Sequence, residues 1–119
     1  MPMIPDLVDY SYELGKQILS QRVPREIKIH GQYLTPPTIA RYMAKKLGEI
    51  QSDAVVLEPA AGSGVLVCAV IERLISENRS IEISADVYEI DPELCEITKQ
   101  VFTKASEKAA QTDPGSGCR

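Results

Sequence analysis

The stretch that most constrains the fold is Asp53–Leu66, which reads DAVVLEPAAGSGVL. It contains the short apolar run Val55–Leu57, which is typical of a strand that is buried on both faces of a sheet. A loop of small residues, Ala60–Gly64, follows, and an apolar helical pattern comes after it. Glycines permit positive φ and close backbone approach, and a helix N-terminus offers unpaired N–H donors. The strand, loop and helix therefore predict a site for a nucleotide-like ligand.

The loop matches neither of two common phosphate-binding patterns. It has a single Gly-x-Gly, at Gly62 and Gly64, and lacks the third glycine of the dinucleotide fingerprint G-x-G-x-x-G. It also lacks the Gly-Lys-Ser/Thr of a P-loop. Such a loop is typical of glycine-rich turns in several Rossmann-like domains, so its function depends on the segments that accompany it.

An amphipathic helix is predicted near the N-terminus, over residues 5–21. Gly15 interrupts the pattern and lowers its helix propensity. The connector that follows contains Pro24, which ends the helix, and carries a local positive charge. The apolar stripe of this helix consists of Leu7, Tyr10, Leu14 and Ile18.

A second helix is predicted within residues 31–50. Thr35 is a good N-cap, and Pro36 suits the first helical position, where a missing N–H costs nothing. Capping alone would indicate only a surface helix. The apolar face expected at helical spacing is formed by Ile39, Met43, Leu47 and Ile50.

Two helices and a second strand are predicted after the loop. The first helix covers residues 65–78, and the strand ends in Val87–Ile90. Asp91 is interpreted as the cap of the last helix, which Pro92 begins. Glu89, at the end of the second strand, is placed where a carboxylate accepts hydrogen bonds from the ribose hydroxyls of a nucleoside cofactor.

Composition excludes several classes of protein. No apolar run is long enough to cross a membrane and no signal-like start is present, which predicts a cytoplasmic protein with no membrane partner. The cysteines Cys68, Cys95 and Cys118 are far apart and have no zinc spacing. His30, the one histidine, is interpreted as a polar loop residue. No metal site is therefore expected.

The net charge of −4 is spread unevenly along the chain. Residues 1–50 contain seven Lys and Arg against five Asp and Glu, whereas residues 51–119 contain six against twelve. The chain as a whole is not a basic nucleic-acid binder. Its N-terminal part is the better candidate for a nucleic-acid contact.

Three segments together resemble one enzyme family. Glu58–Gly64, EPAAGSG, is similar to motif I, (D/E)-P-(A/S)-x-G-(S/D)-G, of S-adenosylmethionine-dependent DNA methyltransferases. Gly31–Pro37, GQYLTPP, resembles motif X, G-Q-[YF]-x-T-P, and Tyr88–Pro92, YEIDP, resembles motif II. Their order, X then I then II, resembles that of the class I, γ-type adenine-specific DNA methyltransferases of restriction–modification systems.

The resemblance implies a cofactor, S-adenosyl-L-methionine, and the residues that bind it. Thr35 would hold the amino-acid end of the cofactor, with Tyr33 and Pro36 lining the site. Glu89 would accept hydrogen bonds from the ribose, and Ile90 would form an apolar wall beside the adenine. The residues implied for the loop are Glu58, Pro59, Ala60, Ala61, Gly62 and Gly64.

The resemblance also implies a fold and a division of the chain. The expected fold class is α/β, a partial Rossmann-like class I methyltransferase fold in which the first βαβα unit is preceded by N-terminal helices. Residues 1–30 would form an N-terminal helix and connector, residues 31–106 the cofactor-binding portion, and residues 107–119 a flexible tail. With two strands the sheet would be incomplete, and one edge of the first strand would be exposed. Another methyltransferase chain that completes the sheet is therefore an expected partner.

The reaction implied is methyl transfer to the exocyclic amine of an adenine flipped out of DNA, with DNA bound by the complete enzyme. The family's catalytic loop, (N/D/S)-P-P-(Y/F/W), does not occur, because the only Pro-Pro is Pro36-Pro37 of motif X. No catalytic residue is assigned, and the chain is interpreted as the cofactor-binding start of a larger enzyme or a truncated remnant of one, inactive alone. The alternatives are a non-catalytic module that binds S-adenosylmethionine or a partner chain, and a fragment of a class I RNA or protein methyltransferase.

Overall fold

The computed structural model describes residues 6–25, 34–51, 53–59, 61–77 and 84–112, with side chains described up to residue 107. Two parallel strands and four helices are defined within these ranges. They are α1 (Leu7–Ser20), α2 (Pro37–Lys45), β1 (Val55–Glu58), α3 (Val65–Ser76), β2 (Ser84–Val87) and α4 (Pro92–Thr112). This α/β arrangement agrees with the predicted fold class at the level of its element types and its two-stranded sheet.

The strands pair in parallel, with Val55 opposite Ser84 and Glu58 opposite Val87. Helix α3 lies between them in the chain, as a parallel connection requires. β2 ends at Val87, so Tyr88, Glu89 and Ile90, which were predicted to be in the strand, belong to the loop after it. Tyr88 still donates its N–H to the Glu58 carbonyl over 2.9 Å and extends the ladder by one bond.

The start of α2 differs from the prediction by one residue. Pro36 occupies the N-cap position with φ −60° and ψ 147°, and Pro37 is the first helical residue. A residue that precedes proline is pushed out of the helical region, which explains why Pro36 cannot begin the helix. No side chain caps this helix, so the predicted N-cap role of Thr35 is wrong.

The buried face of α2 also differs from the prediction. Ala40 and Ala44 are buried, whereas Ile39, Met43 and Leu47 are exposed. Small alanine side chains let the helix approach α3 closely, and α2 packs chiefly on α3. The Arg73 guanidinium strengthens this contact by donating to the carbonyls of Ala44 and Gly48. The predicted stripe therefore lies on the solvent side, apart from Ile50, which is buried.

Helix α3 is the centre of the core. Its apolar side contacts α1, α2 and α4, and Val67, Val70, Ile71 and Leu74 are buried there. Helix α1 packs on α3 and α4. The core cluster also includes Leu7, Val8, Ala40, Ala44, Ile50, Val65, Cys68, Ala69, Ala85, Val101 and Ala105.

One face of the sheet is not covered within the described ranges. Val55 and Leu57 are 67 and 65 % exposed, although the apolar run predicted a strand buried on both faces. Val56 and Ala85 point the other way, towards the helices, and belong to or pack against the core. The prediction failed because the described helices pack on the other face of the two-stranded sheet.

Helix α4 extends through Thr112, past residue 107 where the tail was predicted to begin, and residues 113–119 lie outside the described ranges. No helix among the described residues is long and apolar enough to span a membrane.

Candidate cofactor-binding site

The glycine loop at the carboxyl end of β1 has the backbone that its sequence predicts. Gly62 and Gly64 have φ values of 58° and 88°, in the left-handed region that residues with a Cβ seldom adopt. The Gly64 N–H donates to the Ala61 carbonyl over 2.8 Å, which closes the turn immediately before α3. Gly64 is the N-cap of α3, so the loop leads directly into the helix N-terminus.

The carboxylate of Glu89 joins the glycine loop to the segment after β2. Its Oε1 accepts a hydrogen bond from the Gly62 N–H over 2.7 Å, and its Oε2 accepts one from the Asp91 N–H over 2.8 Å. The Ala61 N–H donates to the Tyr88 carbonyl over 3.0 Å, in parallel with this bridge. Each carboxylate oxygen can accept two hydrogen bonds, so the half-buried Glu89 has capacity for hydroxyl donors of a ligand.

Helix α4 also contacts the glycine loop. The Thr98 hydroxyl lies 2.8 Å from the Gly62 carbonyl and 2.9 Å from the Leu94 carbonyl. Phe102 packs against Gly64 so closely that a Cβ there would lie 3.1 Å from its ring. Gly64 therefore meets two requirements at once, a positive φ and a close contact with α4.

The segment before α2 lies against the same loop. A Cβ built on Gly62 would lie 3.1 Å from Leu34 Cδ2, which places the residue before Thr35 in contact with the glycine turn. Thr35 is half-buried and Pro36 is exposed. The structure thus brings together three segments that are far apart in the sequence, the one before α2, the loop after β1 and the one after β2.

An ion pair fixes the turn that carries Glu89. Arg22, just beyond α1, donates from Nη1 to Asp91 Oδ2 over 2.7 Å and from Nη2 to Asp91 Oδ1 over 3.0 Å. The side chains of Arg22 and Asp91 are 14 and 13 % exposed, and a further bond reaches Glu93. The hydrogen bond to Asp91, opposed by burial, raises the pKa of Arg22 above its ordinary value. Arg22 therefore stays charged at any ordinary pH.

Asp91 has the role that the sequence predicted. Its Oδ1 accepts hydrogen bonds from the N–H groups of Glu93 and Leu94, each over 3.1 Å, so the carboxylate caps α4. The same side chain also binds Arg22, a contact that no local pattern predicts. The two residues are 69 positions apart in the chain.

The remaining predicted site residues surround the loop or lie outside the described ranges. Glu58 is half-buried at the end of β1, and Pro59 is exposed. Ile90 is 95 % exposed, which leaves its side chain available to a ligand. Tyr33 and Ala60 fall outside the described residues, as does His30.

Sequence reasoning missed the supporting side chains of this site. Leu34, Thr98 and Phe102 contact the glycines directly, yet each reads in the sequence as an ordinary loop or helix residue. The sequence indicates a positively charged connector, but it does not indicate that this charge forms an ion pair inside the protein. A threonine within a helix is a weak signal for such a supporting role, because its hydroxyl often bonds to a backbone carbonyl one turn earlier.

Some of the described basic residues near the N-terminus are engaged within the protein, and others are exposed. Arg41 is close to the carboxylates of Asp9 and Glu72, at 3.1 and 3.5 Å. Burial opposes the charge of Arg41, but these carboxylates outweigh it and raise the pKa of Arg41. Lys16 lies over the ring of Tyr12. Other described Lys and Arg side chains of residues 1–50 are exposed, so positive charge remains at the surface of this region. Within the described ranges, no group of three or more His, Cys, Asp or Glu side chains could hold a metal ion.

The described elements define a class of α/β unit in which a ligand binds close to the backbone. Its features are a parallel strand pair, a glycine turn that begins a helix and a carboxylate after the second strand. The sequence profile of the N-6 DNA methylase family matches residues 5–100. The chain therefore belongs to the N-6 DNA methylase family, whose chemistry is methyl transfer to DNA. No curated protein and no solved structure gave a significant match.

Proposed function

We propose that this chain is the S-adenosylmethionine-binding part of an adenine-specific DNA methyltransferase of class I, γ-type organisation. The observation that carries the proposal is the convergence of the segments that resemble motifs X, I and II. Glu89 bonds to Gly62, and Leu34 packs against Gly62. The membership of the N-6 DNA methylase family supports the same function.

In this proposal, the carboxylate of Glu89 accepts hydrogen bonds from the ribose hydroxyls while it keeps its bonds to the backbone. The exposed side chain of Ile90 packs beside the adenine ring of the cofactor. Thr35 holds the amino-acid end, with Tyr33 and Pro36 lining that part of the site. The loop Glu58–Gly64, with its small residues and its two positive-φ glycines, lets the cofactor approach the backbone.

The target in this proposal is the exocyclic amine of an adenine that has been flipped out of the duplex. Flipping is required because the amine of a stacked and paired base cannot reach the methyl group. A side chain and a carbonyl that accept hydrogen bonds from the amine are also needed. The sequence contains no Asn-, Asp- or Ser-Pro-Pro-aromatic segment, and Pro36-Pro37 is used to begin α2. We therefore propose that these acceptors come from outside these 119 residues and that the chain alone is inactive.

A second candidate function is a non-catalytic module that donates its cofactor site to another methyltransferase chain. The edge of β1 that faces away from β2 favours this candidate. The N–H of Ser84 bonds to Ala54 and that of Tyr88 bonds to Glu58. Alternate residues of a parallel strand face the same neighbour, so the backbone groups of Val55 and Leu57 are directed to the other edge. A strand from another chain would pair there. An Asn-Pro-Pro-aromatic segment encoded downstream in the same frame would favour the first candidate.

The test of the proposed site is calorimetric titration of the 119-residue chain with S-adenosylmethionine. We expect binding by the natural chain and a loss of affinity of about 10- to 100-fold in Glu89→Ala, because hydrogen bonds to a charged group are worth about 1.5–3 kcal/mol. Thr35→Ala should weaken binding about tenfold.

Two control variants match these substitutions. Glu96→Ala removes an exposed carboxylate from α4, and Thr38→Ala removes an exposed threonine from α2. Both controls should bind as the natural chain does. Unchanged affinity in both Glu89→Ala and Thr35→Ala would refute the assignment of the site.

A further inference from the structure

Gly15 lies in the middle of α1, where its residue type needs a reason. Glycine in a helix interior is about 1 kcal/mol less favourable than alanine. Among the described residues, the glycines with positive φ are Gly48, Gly62 and Gly64, so Gly15 has an ordinary helical conformation. It is buried, although it has no side chain to contribute to the core. Backbone conformation therefore does not explain why glycine occupies this position.

Close packing explains it. A Cβ built on Gly15 would lie 2.5 Å from Ser63 Oγ, 2.8 Å from Ser63 Cβ and 2.7 Å from Leu34 Cδ1. Real Cβ atoms essentially never approach other atoms within 3.0 Å. Ser63 belongs to the glycine loop, and Leu34 immediately precedes Thr35. The backbone of α1 therefore touches two of the segments that form the candidate site.

The glycine loop cannot easily move away from α1, because hydrogen bonds hold its other side. The Gly62 N–H is bonded to Glu89 and its carbonyl to Thr98, at 2.7 and 2.8 Å. Ser63 itself is fully buried. Any atom added at Gly15 would push Ser63 and Leu34 and would strain these bonds or separate the two segments.

We infer that Gly15 is a positioning residue for the cofactor site, and that the close approach of α1 sets the spacing between the glycine loop and the Thr35 segment. This inference rests on the proposed function. Gly15 acts through Ser63 and Leu34 and does not touch the cofactor itself. A methyl group at this position would therefore change affinity for the cofactor even in a chain that stays folded.

The test compares four variants of the full chain by calorimetric titration with S-adenosylmethionine, with folding monitored by circular dichroism. We expect Gly15→Ala to bind at least about tenfold more weakly than the natural chain, which corresponds to about 1.4 kcal/mol. Ser63→Gly removes two of the three atoms in the way, and the third is the end of a flexible leucine. The double variant Gly15→Ala/Ser63→Gly should therefore bind within about threefold of Ser63→Gly alone, about 0.65 kcal/mol. Gln17→Ala, exposed on the same helix, should leave affinity unchanged.

Rescue by Ser63→Gly would show that Gly15→Ala acts through its contact with Ser63. Circular dichroism distinguishes a loss of affinity in a folded chain from a loss of folding. The inference is overturned if folded Gly15→Ala binds as the natural chain does, or if the double variant binds as weakly as Gly15→Ala. If Gly15→Ala does not fold, the double variant is compared with Ser63→Gly, and its failure to fold would overturn the inference. A natural chain that gives no binding heat would instead refute the proposed function, and the inference with it.

Discussion

The carboxyl end of β1 and its uncovered face are only a few residues apart, yet their surroundings are opposite. At the carboxyl end, Gly62 is contacted by Glu89, Thr98 and Leu34 from three different segments. On the uncovered face, Val55 and Leu57 are exposed although both are apolar. The candidate site is therefore tightly packed, whereas one face of the sheet is uncovered by the described residues.

The largest effect is expected when the same residue type is truncated in the packed core and on the open face of β1. Leu74→Ala, on the buried side of α3, should lower the free energy of unfolding by about 2–5 kcal/mol. Leu57→Ala, on the open face, should change it by less than about 0.5 kcal/mol. Urea unfolding followed by circular dichroism measures both values. Equal losses would mean that this face of β1 is covered in solution, which would contradict the contrast between the two regions.

A smaller effect is expected from the ion pair that holds the turn after β2. Arg22→Lys replaces a fork that bonds both oxygens of Asp91 with a single ammonium, so one charge-assisted bond is lost. We expect a loss of about 1–2 kcal/mol in the free energy of unfolding. The matched variant Arg25→Lys changes an exposed arginine of the same connector and should have no effect. An Arg22→Lys chain as stable as the natural one would show that the turn does not need this ion pair.

The smallest effect concerns two fully buried serines. Ser63 Oγ has no hydrogen-bond partner among the described residues, whereas Ser11 donates to the Val8 carbonyl over 2.9 Å. A buried unpaired hydroxyl is destabilising, so Ser63→Ala should raise the free energy of unfolding by up to about 1 kcal/mol. Ser11→Ala should lower it by about 1 kcal/mol. The same urea assay checks the two signs, and a loss in Ser63→Ala would indicate that its hydroxyl is bonded in solution.

Much of the fold could be predicted because its signals are local. The left-handed glycines of the loop, the Asp91 cap and the apolar side of α3 each depend on neighbours within a few residues. The two strands were predicted for the same reason. The predicted end of β2 lies too far along the chain, because apolar residues after Val87 continue the sequence pattern although the strand has ended.

The face of α2 could not be predicted in this way. Its large apolar residues recur at helical spacing and its alanines recur at the same spacing on another face. Periodicity identifies both faces but cannot say which of them meets α3. The tertiary structure selects Ala40 and Ala44, because small side chains allow the closer approach.

Local residue types already specify which backbone positions can form the glycine turn, because φ preferences and helix capping are properties of single residues and their neighbours. The direct contacts of Glu89, Leu34 and Gly15 with that turn are set by tertiary packing. Contacts between segments far apart in the chain depend on how helices pack against one another, and no short stretch of sequence specifies that packing. The same packing places the described helices on one side of the sheet and leaves Val55 and Leu57 exposed.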